Sequence, residues 1–347
     1  MNTQATASAT TTPTMPPELY LTQLTFGALM SQAVFVAAKL GVADLLAAQP
    51  LSIFELANET KTNERALYRV LRSLAGVGVF QEVSPKIFAM TAAAEPLRSD
   101  VPNSVRNVAI FMGEEWHWRV WGNMVQSMES GKPAWSRVHG LEVFEYLQAN
   151  PEQYETFNRA MTGISASTAP AVVEAYDFSG FETLADIAGG HGLLLAQILK
   201  ANANIKGVLF DLPIVIQGAG ALLQEEGVSS RVETVAGNFF ESVPVADAYL
   251  LKHIIHDWDD QRAIKILTNI CAAMNPNGRV LLVEVVIPEG NDPHFGKLMD
   301  LEMLVSPGGV ERTVEEYRQL LSDSGLRLTR IIPTKSAYSI VEAVKAE

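Results

Sequence analysis

The chain of 347 residues has a single cysteine, Cys271. One thiol closes no intrachain disulfide, so a reducing cytoplasm is the expected compartment, and its place in an amphipathic helical pattern reads as buried core. Positive charge is scarce too, with 26 Lys and Arg against 39 Asp and Glu and a net charge of −13. That balance argues against a sequence-independent grip on nucleic acid, which needs clustered cations to displace counterions. Long apolar runs are missing. The most apolar early stretch, 28–38, is too short to span a bilayer and is soon followed by Lys39 and Asp44, so no membrane partner is expected. Residues 1–17, rich in Thr, Ala and Pro, lack the basic and apolar segments of a signal peptide and read as a disordered tail.

A missing glycine narrows the chemistry. The stretch Leu184-Ala-Asp-Ile-Ala-Gly-Gly-His-Gly192, an apolar helical run, and then Val208-Leu-Phe-Asp-Leu-Pro213 read as strand, glycine turn, helix, strand. Glycine lacks the Cβ that would keep a ligand from the backbone. Asp211, at the end of the second strand, stands where a carboxylate accepts the two hydroxyls of a ribose. Leu195 occupies the place of the third glycine of a dinucleotide fingerprint, so D-x-A-x-G-x-G fits S-adenosylmethionine better than NAD. The plain alternative is a structural turn, since any open α/β sheet makes strand-glycine-helix connections.

In the first half, apolar residues from Glu18 to Ala48 recur at helical spacing and break at Gly41, which fits two helices. The first is so apolar that packing on a second subunit and burial in its own domain both stay open. Ser52, with Glu55 at the capping-box position, starts a short helix. Thr62 is expected to cap a longer one that carries Leu67, Val70, Leu71 and Leu74 on one face. Segments 79–83 and 86–90 form a hairpin, and helix, helix, hairpin is a winged helix. Arg65, Arg69 and Arg72 share a face of its second helix and raise a DNA-binding alternative; the acidic total, with Glu59 and Glu64 nearby, counts against it.

Residues 105–131 read as one helical, unusually aromatic stretch that includes Trp116 and Trp121, a candidate lid over a flat apolar pocket or simply core. A long helix over 151–173 carries Phe157, Asn158, Met161 and Ser165. The domain boundaries then fall at 18–100 for the winged helix, 101–176 for the helical linker or lid, and 177–347 for the nucleoside domain.

Strands and helices alternate through the last part, the pattern of a doubly wound α/β sheet. Ligands bind beyond the carboxyl ends of such strands, which places Gly237, Asn238 and Phe239 where an adenine would lie. The fifth strand, 279–286, is apolar apart from Glu284, and a lone buried carboxylate needs a partner. His256, just past the neighbouring strand, is the partner on offer, and Glu311 supplies a second carboxylate. A histidine with pKa near neutrality, oriented by a carboxylate, is the natural base for stripping an acceptor hydroxyl of its proton. His253 is the control, a strand-end histidine read as packing. His256, Asp257, Asp259 and Asp260 do not repeat a known ligand spacing, and Asp in a first helical turn is expected from capping, so no metal is expected.

These residues resemble the class I S-adenosylmethionine-dependent O-methyltransferases of the caffeic acid and isoflavone type, with bacterial relatives that act on anthracyclines and other aromatic metabolites. The resemblance covers nearly the whole chain after the tail. It rests on 186–192, Phe210-Asp-Leu-Pro213, Gly237-Asn-Phe239, Leu251-Lys-His-Ile-Ile-His-Asp-Trp258, Glu284 and Gly308-Gly-Val-Glu-Arg-Thr313. It implies a Rossmann-like methyltransferase domain preceded by a mainly α winged-helix dimerisation domain, in a homodimer, which displaces the DNA reading. Asp186, Ala188, Gly189, Gly190 and Gly192 would hold the methionine part of the cofactor, Asp211 and Leu212 the ribose, Asn238 and Phe239 the adenine, with Gly237, Lys252 and Ser165 beside them. His256 would be the general base, flanked by Glu284 and Glu311. Trp116, Trp121, Phe157, Met161, Asp257, Met303 and Ser306 would line the acceptor pocket. Ala188 replaces the loop's first glycine, Asn238 the usual Asp, and Ser306 the Asn of plant members. The expectation is a cytoplasmic O-methyltransferase for a phenolic or polycyclic aromatic hydroxyl; the alternatives are a cofactor-sensing DNA-binding regulator, or a relative turned to hydroxylation or decarboxylation.

Overall fold

The computed structural model describes residues 15–346, so the expected tail falls, but for its last three residues, outside them. The described chain forms two compact units. One runs to Val101 and includes Pro288–Pro293; the other holds Pro102–Ile287 and the chain from His294 on.

The first unit comprises α1 (Pro17–Lys39), α2 (Val42–Leu46), β1 (Leu51–Ser52), α3 (Ile53–Thr60), α4 (Glu64–Gly76), β2 (Phe80–Ser84) and β3 (Ile87–Met90), with the strands ordered β1-β3-β2. This is the winged helix. Ser52 and Glu55 form the expected capping box. Asn63, not Thr62, caps α4: its side chain accepts the Ala66 N–H at 3.0 Å, while the Thr62 hydroxyl pairs with Thr60. Leu67, Leu71 and Leu74 are buried on α4 and the three arginines are exposed. At 23 residues α1 is long and apolar enough to cross a bilayer, contrary to the short run read from the sequence. Thr22 and Thr25 extend it without exposing polarity, because their hydroxyls donate to the carbonyls of Glu18 and Leu21. Leu21, Leu24 and Leu29 stay 60–64% exposed.

The second unit opens with α5 (Arg106–Gly113), α6 (Glu115–Trp121), α7 (Met124–Ser130), α8 (Ala134–His139), α9 (Val143–Ala149) and α10 (Pro151–Ala175). The single helix expected over 105–131 is thus three. Glu114, at φ −57° and ψ 140°, leaves the helical region, and Gly122 ends the next piece. The bends fold Phe111, Trp116 and Val120 onto Trp135 in one aromatic core.

The remaining elements are β4 (Thr183–Ile187), α11 (Leu193–Ala201), β5 (Lys206–Asp211), α12 (Pro213–Glu225), β6 (Val232–Ala236), β7 (Ala248–Lys252), α13 (Asp260–Ala273), β8 (Arg279–Glu284), β9 (Val286–Ile287), α14 (Phe295–Val305), β10 (Arg312–Thr313), α15 (Val314–Asp323), β11 (Leu326–Pro333) and β12 (Ser339–Lys345). The main sheet has the order β11-β12-β8-β7-β4-β5-β6, with β8 through β6 parallel and β12 antiparallel to both its neighbours. Successive side chains serve opposite cores. Leu184, Leu209 and Leu250 point into one cluster, and Ala185, Phe210 and Leu251 into the other, as the two-residue strand period requires for a sheet buried on both faces. Cys271 is only partly buried, at the rim of the second cluster. Strand β4 runs to β5 and β6 on one side, while β7 and β8 lie on the other, so the carboxyl ends of β4 and β7 flank the topological switch point.

β8 ends at Glu284, short of the expected Val286. Residues 286–287 leave the main sheet and pair in parallel with β10, which brings the segment before β10 to the end of β7.

Candidate active site

The loop after β4 is shaped by close approach. A Cβ on Gly189 would lie 2.5 Å from the Asp186 carboxyl, whereas Gly190, at φ 62°, has nothing within 4 Å of the same position. The first glycine is tied down and the second faces open space. Ala188 takes φ 54° and donates its N–H to the Phe210 carbonyl at 2.7 Å. Asp211 accepts the N–H of Gly190 at 2.8 Å and of Leu212 at 2.7 Å, one on each carboxylate oxygen. The backbone thus fixes the carboxylate beside the loop. Burial raises its pKa, and these two N–H groups oppose the rise.

One cavity of about 720 Å³ in the second unit gathers most of the expected residues. Asp186, Ala188, Gly189 and Gly190 line it from β4, and Asp211 and Leu212 from β5. Gly237, Asn238 and Phe239 follow β6, Lys252 ends β7, and Ser165 reaches it from α10. Gly192 does not line it. At φ 84° Gly192 is the N-cap of α11 and packs on Leu209, so its service is to the turn. The Asn238 side-chain oxygen accepts the Phe240 N–H at 3.0 Å, which spends one of its acceptor positions locally. Asp186 is buried and Lys252 partly so; desolvation pushes the carboxyl up to about 7 against the pull of the ammonium, and pushes the ammonium down.

His256 sits in a single 3-10 turn, Ile255–Asp257, and is 7% exposed. Its Nδ1 is 2.7 Å from Glu311 Oε1 and 3.8 Å from Glu284 Oε2, and its Nε2 is 3.6 Å from Asp257 Oδ1. Glu311, not Glu284, is the direct partner. Glu284 Oε1 is already taken by the N–H groups of Ile254 and Ile255 at 3.1 and 2.9 Å, so this carboxylate anchors the turn that carries the histidine. Burial alone would lower the His256 pKa, but the charges of Glu284, Asp257 and Glu311 raise it to about 10, above the near-neutral value expected. Burial also pushes Glu284 to about 7 and Asp257 to about 6. The control, His253, lines the same cavity, with its ring 4.2 Å from that of Tyr338 and its pKa held well down by burial.

His256 Nδ1 and one oxygen each of Glu284 and Glu311 lie within 4.8 Å of one another, a set that could hold a cation. Of the other acids weighed for a metal, Asp257 stays beside His256, whereas Asp259 caps α13 and Asp260 pairs with buried Arg312.

On the acceptor side, Phe157, Met161, Asp257, Met303 and Ser306 line the cavity. Trp116 and Trp121 do not. Trp116 is buried in the aromatic core, and Trp121 stands behind the wall and donates Nε1–H to Glu302 Oε2 at 2.7 Å. The lining also includes Tyr154, Met299, Glu302 and Tyr338, which the sequence reading passed over. Tyr154, Phe157, Met161 and Ser165 recur on one face of α10, and Met299, Glu302 and Met303 on one face of α14, with Ser306 at its C-cap. That period was visible; that the face lined a cavity was not. The Tyr154 phenol is pushed to about 12 by burial and by the charge of Asp211.

With this geometry in view, comparisons with known proteins are specific. Residues 120–327 match the O-methyltransferase domain family, and residues 22–100 match the O-methyltransferase dimerisation domain. A phenazine O-methyltransferase of Lysobacter antibioticus is 46% identical over 330 residues, 95% of this chain and 96% of the relative. The structure of the mitomycin 7-O-methyltransferase superposes with a TM-score of 0.88 at 38% identity, over 95% of this chain and 98% of that one. An O-methyltransferase from neocarzinostatin biosynthesis, solved with S-adenosylmethionine and 2-hydroxy-5-methyl naphthoic acid, gives 0.79 at 31% identity, over 91% and 96%. The glycine loop, the carboxylate after β5 and these matches along both units agree, and the chain belongs to the S-adenosylmethionine-dependent O-methyltransferase family of aromatic natural-product methyltransferases.

Proposed function

We propose that this protein transfers a methyl group to the hydroxyl of a phenolic or polycyclic aromatic small molecule, with His256 as the general base. The observation that carries the reading is the 2.7 Å contact between His256 Nδ1 and Glu311 in a cavity that also holds the glycine loop and Asp211. With Nδ1–H donated to the carboxylate, the neutral ring keeps its Nε2 lone pair for the acceptor.

The residues present suit the cofactor. Gly190 opens the backbone to a ligand, and a Cβ on Gly237 would lie 2.5 Å from the Phe210 ring, so the floor there tolerates no side chain. Asp186 and residues 188–190 would hold the amino-acid portion, Asp211 with Leu212 the ribose, and Asn238 and Phe239 the adenine, with Lys252 and Ser165 alongside. When bound, S-adenosylmethionine supplies an electrophilic methyl group and leaves as S-adenosylhomocysteine. His256 Nε2 takes the proton of the acceptor hydroxyl as that oxygen forms its bond to carbon. Glu311 holds the ring in the required tautomer, and Glu284 fixes the turn beneath it. Phe157, Met161 and Met303 supply flat apolar surface and keep water from the reacting oxygen.

In this reading 18–100 is the dimerisation domain of a homodimer, 101–176 builds the acceptor side, and 177–347 binds the cofactor. The exposed apolar side chains of α1 favour a partner chain over a bilayer, given the dimerisation family matched there.

His256→Ala tests the assignment. It should keep S-adenosylmethionine affinity by calorimetry and lose transfer to a competent phenol by roughly 10²–10⁴-fold; unchanged turnover removes His256 from the base role.

A further inference from the structure

One carboxylate in the cavity wall has no part in the transfer described above. Glu302 lies on α14, is 6% exposed, and lines the cavity with Met299, Met303 and Ser306. Its Oε1 accepts from His117 Nε2 at 2.9 Å and its Oε2 from Trp121 Nε1 at 2.7 Å. A carboxylate has about four lone-pair sites, so these two donors leave acceptor capacity unspent on a residue that lines the cavity. Burial opposes the charge, but His117, Trp121 and Ser306 outweigh it and hold the carboxyl below its usual range. Glu302 therefore presents a fixed negative charge. It shares the cavity with His256 and Asp257.

The rest of the lining sharpens the point. Among the described residues it includes the carboxylates of Glu145, Asp186, Asp211, Asp257 and Glu311, no arginine, and one lysine, the partly buried Lys252. An acceptor bearing a carboxylate here would meet a wall in which carboxylates outnumber the cations of Lys252 and His256, and crowding like charges in a buried site is costly. An acceptor bearing a second donor meets a pre-oriented acceptor whose own partners hold its rotamer.

We propose that Glu302 selects the acceptor: it receives a hydrogen bond from a second donor on the aromatic substrate, a hydroxyl, amino or ring N–H group, and turns away carboxylated aromatics. This rests on the reading that the cavity takes an aromatic hydroxyl.

The test uses the full-length protein loaded with S-adenosylhomocysteine. Calorimetry compares a set of dihydroxynaphthalene isomers, the parent naphthols and the corresponding hydroxynaphthoic acids for the wild type, Glu302→Gln and Glu302→Met. At least one dihydroxy isomer should bind about 10- to 100-fold tighter than its parent, the gain expected of a hydrogen bond to a charged group, and the acids should bind weakest. Glu302→Met should level that advantage, and Glu302→Gln, which keeps an acceptor oxygen without charge, should retain part of it and admit the acids better. Unaltered S-adenosylhomocysteine affinity certifies the fold of each variant. Should Glu302→Met unfold, Glu302→Gln still decides, since equal discrimination against the acids in it and the wild type overturns the proposal. An advantage that survives Glu302→Met, or no binding by any naphthol, overturns it as well. Failure of the transferase reading looks different: naphthols bind the wild type and none is methylated when S-adenosylmethionine is supplied.

Discussion

Val310 donates its N–H to the carbonyl oxygen of His256 at 2.8 Å, one residue before Glu311 accepts from the ring of the same histidine. Backbone and side chain of His256 are therefore gripped by one short segment, 308–311, which enters as a turn with Gly308 at φ 82°. Gly309 permits the approach, because a Cβ there would collide with the His256 carbonyl.

Gly309→Ala should push the two segments apart and displace the histidine. Loss of activity by 10²-fold or so, the usual result of misplacing a catalytic group by about an ångström, with S-adenosylmethionine affinity retained, is the expected outcome; full activity would show that the clamp does not position the base.

Glu311→Gln keeps an oxygen near His256 Nδ1 but removes the charge that holds the ring. By analogy with a hydrolytic triad whose orienting carboxylate becomes an amide, kcat should fall by up to about 10⁴-fold, while the KM for the cofactor changes little. Steady-state kinetics with a competent phenol provide the measurement.

The pH dependence should follow His256. Its neighbours raise the pKa to about 10, and only the deprotonated ring acts as base, so kcat/KM should climb on the alkaline side toward that value. Glu284→Gln removes a charge that favours the imidazolium yet keeps an oxygen for the N–H groups of Ile254 and Ile255. Its alkaline limb should move to lower pH. A limb that stays in place would mean that another group titrates.

Ala188 stores strain at φ 54°. The left-handed conformation costs a side-chain-bearing residue roughly 1–2 kcal/mol, and glycine's looser unfolded state returns about 0.5–1 kcal/mol of that. Ala188→Gly should stabilise the protein by up to about 1 kcal/mol, a rise of ~2–4 °C in Tm, with cofactor affinity maintained. A lower Tm in differential scanning would count against strain at this position.

Glu342 carries a pH-linked share of stability. Burial works against its charge, but Arg330, Thr329 and Tyr176 outweigh burial and lower its pKa from 4.5 to about 2. A depressed carboxyl stabilises the fold above its unfolded pKa, and the gain is lost as pH falls through the folded value. Glu342→Gln should therefore be less stable than wild type at neutral pH, with the gap closing between about 4.5 and 2 in denaturant titrations.

Much of this protein follows from local sequence. The strand-glycine-helix unit at 184–211, the Ser52 capping box and the alternation of β and α elements are set by backbone sterics, capping and side-chain period, all of which act within a few residues. Short-range chemistry also exposed the absence of a third glycine and singled out His256. Errors arose where range grew. The aromatic stretch 105–131 broke into three helices because its side chains had to reach Trp135 and Val305, and Trp121 turned from a pocket residue into a support for Glu302. Only tertiary structure chose Glu311 over Glu284 as the partner of His256, since that choice depends on Val286 and Ile287 leaving the sheet to pair with Arg312 and Thr313. The raised pKa of the histidine has the same origin: three carboxylates, two of them remote in sequence, meet where water that would screen them is excluded.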